Sequence, residues 1–211
     1  MRGDIDIRQR AWEGLRRHAH QILAGGYARL IPADYTQTKE PEITGRLCKA
    51  MSEFMAEDDA PRWIVHYAIR DDPKLNVHGL DGEHRPRIDI EVERVQRGPR
   101  PLFRFEAKRL GSGHPLSSYL GSEGMGAFLS GYYPICHPDA GMLGYLQKNE
   151  AHDWCEDLAE ELNANPLNYR YIIAEGFILH PLATGLSTWR SAHSTEAGSP
   201  LAVWHTLLRF W

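Results

Sequence analysis

Asp89, Glu106 and Lys108 are the residues of this chain whose types and spacing could do chemistry. They lie in RPRIDIEVERVQRGPRPLFRFEAKRL, residues 85–110. Read with a period of two, Ile88, Ile90 and Val92 point one way, and Arg87, Asp89, Glu91 and Glu93 the other. Beyond the turn-forming RGPRP, Phe103, Phe105 and Ala107 share one face, and Arg104, Glu106 and Lys108 the opposite one. A hairpin centred between Arg97 and Gly98 pairs residues whose numbers sum to 195, so Glu91 faces Arg104 and Asp89 faces Glu106. The first pair is a cross-strand ion pair. The second sets two carboxylates opposite each other, with Cβ atoms about 4.5–5.5 Å apart, which destabilises a sheet unless something neutralises them. A hard divalent cation bound by oxygen does so, because its own charge dominates the local field.

These residues need elements to hold them. Ala11, Leu15, Ala19, Ile22 and Leu23 form a helical stripe over residues 8–23 that stops at Gly25-Gly26 and reads as an N-terminal addition, residues 1–35. A second helix is expected over residues 40–55, with Pro41 in its first turn and Ile43, Leu47, Met51 and Phe54 on one face. RWIVHYAI reads as a strand and RDDPKLNVHGLDGEH as a polar loop leading into the charged hairpin. LSSYLGSEGMGAFLSGYYP is a glycine-rich helical connector, GMLGYL a short buried strand, and residues 150–163 an acidic helix. YRYIIAEGFILH and LAVWHTLLRFW are later strands, and ATGLSTWRSAHSTEAGSP between them is loop-like. Helix, strand, hairpin, helix, strand, helix and further strands make a mixed sheet with helices packed on it, one domain over residues 36–211.

Composition narrows the function classes. The chain has 211 residues, 42% hydrophobic and 25% charged, which suits a soluble globular protein with one substantial core. No apolar run spans a bilayer and MRGDIDIRQR lacks the apolar core of a signal peptide, so a cytoplasmic, non-membrane protein is expected. Cys48, Cys136 and Cys155 stand far apart, which argues against a zinc knuckle or disulfide framework. The imidazoles of His18 and His20 do not face each other on a helix. A net charge of −4 is poor for gripping nucleic acid unaided. It is polarised, however: residues 85–110 hold eight Lys or Arg against four acids, while residues 151–163 hold five acids and no Lys or Arg. A phosphate-binding face of Arg85, Arg94, Arg97, Arg100 and Arg109 would make few contacts, so weak binding and recruitment by a partner are expected.

A helix with an acid near its start, a strand carrying Asp and a strand with E-x-K resemble the PD-(D/E)XK nuclease superfamily, the restriction-endonuclease-like fold. The matching positions are Glu42 in EPEITGRL, Asp89 in RIDIEV, and Glu106 with Lys108 in FRFEAKRL, over residues 40–146. Ile88 stands where the family name has proline. By itself E-x-K arises by chance roughly once in a chain of this length. The competing D-x-K, Asp72 and Lys74, encloses Pro73, which a central strand excludes. The resemblance implies an α/β fold with a mixed central β-sheet flanked by helices around an αβββαβ core. It implies a nuclease hydrolysing phosphodiester bonds with Mg²⁺, or Mn²⁺ in its place. Asp89 and Glu106 would be metal ligands, with the carbonyl of Ala107 beside them. Lys108 would orient the attacking water or stabilise charge in the transition state. Glu42 would hold a metal-bound water or complete a second site, with Glu40 as the rival position. The substrate would be nucleic acid, DNA ahead of RNA, cut as part of a prokaryotic defence or restriction system with a protein partner. The alternative is a catalytically silent nuclease fold acting as a binding subunit.

Other patterns lead elsewhere. YLGSEGMGAF lacks the spacing and lysine of a phosphate loop, and no G-x-S-x-G marks a hydrolase nucleophile. Ser191, His193 and His205 resemble Ser/His endings of small nuclease-like defence proteins, while His205 itself, on an apolar strand, reads as a buried hydrogen-bonded histidine.

Overall fold

The computed structural model describes residues 2–211 apart from 78, 112, 136, 149 and 150, with the side chains of residues 2–8, 151 and 152 also outside the description. Cys136 and Glu150, named above, therefore lie outside it. The strands are β1 (Tyr67–Asp71), β2 (Ile90–Arg94), β3 (Leu102–Leu110), β4 (Asp139–Leu146), β5 (Ile178–Leu179), β6 (Thr188–Ser194) and β7 (Pro200–Arg209). The helices are α1 (Arg2–Tyr27), α2 (Glu40–Met55), α3 (Leu116–Leu120), α4 (Met125–Leu129) and α5 (Ala151–Ala164). All seven strands form one sheet in the order β1-β2-β3-β4-β7-β6-β5. β1, β2 and β3 are an antiparallel meander, β3, β4 and β7 run parallel, and β6 and β5 return antiparallel. This is a mixed α/β fold with a central mixed sheet flanked by helices.

Strand alternation divides the core between the two faces of the sheet. On one face Phe103, Phe105, Ala107, Leu143, Tyr145 and Trp204 pack against Leu15, Ile22 and Leu23 of α1 and Ile43, Leu47 and Met51 of α2. On the other, Met142, Leu146, Val203 and Leu207 pack against Tyr119, Phe128 and Leu158 from α3, α4 and α5. The stripe read at the N-terminus thus lies in the main core, with Leu15, Ala19, Ile22 and Leu23 fully buried.

Four expectations about elements change. Gly25 and Gly26 do not end α1, which runs on to Tyr27. A Cβ at Gly25 would stand 2.3 Å from Phe54 Cδ1, and one at Gly26 2.4 Å from Met51 Cγ, so these glycines let α1 and α2 approach closely. RWIVHYAI begins as a 3₁₀ helix over Arg62–His66 before the strand starts at Tyr67. The segment read as a loop between residues 183 and 200 contains β6, whose buried Thr188, Ser191 and His193 satisfy one another and β7 rather than water. Conversely, YRYIIAEGFILH is mostly irregular, with only Ile178–Leu179 as a strand. Among the described residues no helix is long and apolar enough to cross a membrane.

Candidate active site

The hairpin adopts the register that alternation and the turn imply. Ile90 pairs with Phe105, Glu91 with Arg104 and Val92 with Phe103, all summing to 195. The Glu91–Arg104 pair is an ion pair, with Nε 2.9 Å from Oε2. Glu91 and Glu93 are buried under Arg70, Arg100 and Arg104, so this face of the hairpin is an ion-pair network rather than solvent.

The ladder stops one residue short of the opposed acids. Asp89 lies in a bend before β2, and beyond Ile90–Phe105 the two strands part. Ile88 accordingly joins the core on the far side of the sheet from Ile90. Parting leaves β3 amides without a strand partner, and a buried N–H must be paired. Side-chain carboxylates supply the acceptors: Ala107 N donates to Asp89 Oδ2 (2.7 Å), and Arg109 N to Glu40 Oε2 (2.9 Å). The gap between β2 and β3 is therefore lined by acids.

Lys108 stands at its centre. Its Nζ donates to Glu106 Oε1 (2.5 Å) and to the Ala107 carbonyl (2.9 Å), and lies 3.4 Å from Glu40 Oε1. Glu106 is 4% exposed. Burial, and then the neighbouring Asp89 charge, push the Glu106 carboxyl well above its ordinary value. Burial likewise raises Asp89, against the Ala107 amide and Lys108, which favour its charged form. Burial would lower the Lys108 ammonium, but Glu106 and Glu40 outweigh it and hold the amine protonated. The Tyr133 hydroxyl, from the segment after α4, bonds to Glu106, and burial together with that carboxylate raises it too.

The structure thus brings Asp89, Glu106, the Ala107 carbonyl and Lys108 together. Glu42 is exposed, whereas Glu40 reaches the cluster. Of the arginines expected as a phosphate face, Arg85 donates to Asn76 and Arg100 is paired with Glu93. Arg94, Arg97 and Arg100 sit at the turn end of the hairpin, roughly 20 Å of strand from Lys108. The sequence signal for Tyr133 is slight, an aromatic pair, Tyr132-Tyr133, closing the connector.

Among the described residues, no group of three or more His, Cys, Asp or Glu side chains is arranged to hold a metal. The donor set present, two carboxylates and a carbonyl, is oxygen-only. That suits Mg²⁺, which takes one or two carboxylates and keeps its waters, better than zinc or another nitrogen- and sulfur-seeking ion.

A second polar cluster lies under β6 and β7, and its protons can be assigned. The Tyr169 carbonyl can only accept, so His193 Nδ1 donates to it (2.7 Å) and His193 Nε2 must accept. Ser191 Oγ therefore donates to His193 Nε2 (2.6 Å) and accepts from His205 Nε2 (2.7 Å). His205 Nδ1 is left to accept from Tyr119 Oη (3.0 Å). Ser191, His193 and His205 are fully buried, and burial lowers His193 to about 4 and His205 well below its ordinary value. His205 is thus the hydrogen-bonded core histidine its apolar strand suggests.

No protein-family model matches the chain, and the searches of curated proteins and of solved structures return no match.

Proposed function

We propose that the chain is a metal-dependent nuclease of the PD-(D/E)XK kind. The observation that carries this reading is the convergence of Asp89, Glu106 and Lys108 at the point where β2 leaves β3. The topology supports it: α2, the β1–β2–β3 meander, the α3/α4 connector and a β4 parallel to β3 follow the αβββαβ order that the resemblance implies.

Asp89, Glu106 and the Ala107 carbonyl would hold Mg²⁺ or Mn²⁺. Such an ion supplies Lewis acidity and lowers the pKa of a bound water. The chain's own residues do the rest. Asp89 keeps one oxygen on the Ala107 amide and shares a side-chain hydrogen bond with Glu106, which fixes the carboxylate at the gap. Tyr133 and Lys108 fix Glu106 in the same way. Lys108 is protonated, so it acts as a cation, aligning the attacking water by donation and offsetting negative charge that builds on the phosphate. Glu40 restrains the lysine between its partners. DNA is the proposed substrate, in a defence or restriction setting, with a partner supplying affinity that a chain of net charge −4 lacks.

One observation favours the second reading, a silent binding subunit: the Lys108 ammonium already satisfies Glu106 and the Ala107 carbonyl. Supercoiled plasmid incubated with the protein separates the two. Nicking or linearisation in Mg²⁺ or Mn²⁺ that stops in EDTA is expected. Intact plasmid and intact RNA with either metal would favour the silent subunit.

A further inference from the structure

Among the described residues, cations around the hairpin divide into those held by a carboxylate and those that are not, and Arg94 and Arg97 of the second kind lie at the turn, roughly 20 Å of strand from Lys108. Arg70, Lys74, Arg87, Arg100 and Arg104 are each paired with a carboxylate. Among the described residues, no hydrogen bond or ion pair engages the side chains of Lys39, Arg109 or Lys148. These three come from distant parts of the sequence, yet the backbone draws them to one end of the sheet. Lys39 immediately precedes Glu40, whose Oε2 accepts from Arg109 N. Gln147, beside Lys148, donates its side-chain amide to the carbonyls of Tyr35 (2.7 Å) and Thr38 (2.8 Å), and its backbone N donates to Leu110 O (2.9 Å). Glu40 also reaches Lys108, so the backbone at these three residues runs beside the candidate active site. Lys39 and Lys148 are exposed and Arg109 is half-buried.

An arginine committed to a buried carboxylate has little to offer a phosphate, because the exchange would strand that carboxylate. A free surface cation has only its counterion to lose. We propose that Lys39, Arg109 and Lys148 form a phosphate-binding ledge that holds the nucleic-acid backbone on one side of the scissile group. This inference rests on the nuclease reading. It also relocates the phosphate contacts, away from the arginines of the hairpin turn and onto the ends of β3 and β4 and the start of α2.

Each phosphate contact on duplex DNA contributes roughly −0.9 to the slope of log affinity against log salt. Fluorescence anisotropy with a labelled duplex in EDTA, across a salt series, reads that slope without cleavage. The triple variant Lys39→Gln, Arg109→Gln, Lys148→Gln should lose about 2.7 from the magnitude of the slope relative to wild type. Arg94→Gln with Arg97→Gln, at the hairpin turn, should leave it unchanged. A ledge variant with the wild-type slope, a loss at the turn instead, or equal binding of polyglutamate by wild type overturns the ledge while leaving plasmid cleavage intact. If wild type neither binds duplex DNA nor cuts plasmid, the nuclease reading itself has failed, and the ledge with it.

Discussion

Two buried polar clusters share one sheet and are built on opposite terms. Under β6 and β7, Tyr119, His205, Ser191, His193 and the Tyr169 carbonyl form a chain in which every donor has one acceptor and no group carries charge. Where β2 leaves β3, Asp89, Glu106, Lys108 and Glu40 concentrate charge, and burial drives the two inner acids toward their neutral forms. The neutral chain fixes the fold. The charged cluster pairs the free amides of β3 but holds acids out of step with their burial, and perturbed acids of that kind gather at functional sites. Polar residues in a core therefore do not by themselves mark a function; a mismatch between charge and burial is the more informative sign.

Breaking the charged cluster should cost activity and not the fold. Lys108→Ala is expected to slow plasmid cleavage about 100-fold or more, while its thermal melt stays close to wild type. Cleavage at the wild-type rate would reduce Lys108 to a structural residue. The neutral chain should behave the other way round. His205→Ala removes the partner of both Tyr119 and Ser191 and leaves a cavity, which should destabilise by about 3 kcal/mol in urea unfolding. Cleavage per folded molecule should be retained.

Acid sharpens the contrast. Buried His20 and His193 are lowered to about 4 from 6.5 by desolvation, and desolvation lowers His205 too. Below pH 6.5 the unfolded chain takes up protons that the folded chain refuses, so this stability is full above 6.5 and falls toward pH 4. The loss is about 1.4 kcal/mol per pH unit for each histidine. Asp89 and Glu106, being raised, act with the opposite sign, so the slope is best measured on Asp89→Asn with Glu106→Gln. A flat profile there would mean that the histidines are not desolvated.

The smallest effect separates two acids on one helix. Glu40→Gln should reduce cleavage by about 10-fold, roughly 1.4 kcal/mol, through a less restrained Lys108, and exposed Glu42→Gln should change it little. The reverse order would mean that α2 is rotated from the position described.

That pair also marks where sequence stops being legible. An acid at the start of α2 was readable, but residues 40 and 42 lie about 200° apart around a helix. Which one faces β3 depends on how Ile43, Leu47 and Met51 seat the helix in the core, a tertiary outcome. The hairpin register was readable because its turn and its alternation agree, down to Glu91 against Arg104. The parting of β2 and β3 at Asp89 was not, since the acceptors that replace the strand partner come from Asp89 and from Glu40 on α2, a tertiary arrangement. β6 was hidden by its composition: TWRSAHS has the polarity of a loop, and only pairing with β7 shows that its Thr, Ser and His side chains are spent internally. Of the arginines that looked like a phosphate face, Arg100 is spent on Glu93, an alternate residue of the neighbouring strand, and Arg85 on Asn76, pairings that only the folded hairpin shows.

The central claim is that Asp89 and Glu106 together hold a divalent cation beside Lys108, and titration calorimetry with Mn²⁺ tests it without relying on cleavage. Wild type should show one site, and Asp89→Ala, still folded by circular dichroism, should lose it. Equal Mn²⁺ binding by the two proteins, or none by wild type in the presence of duplex DNA, would contradict the account.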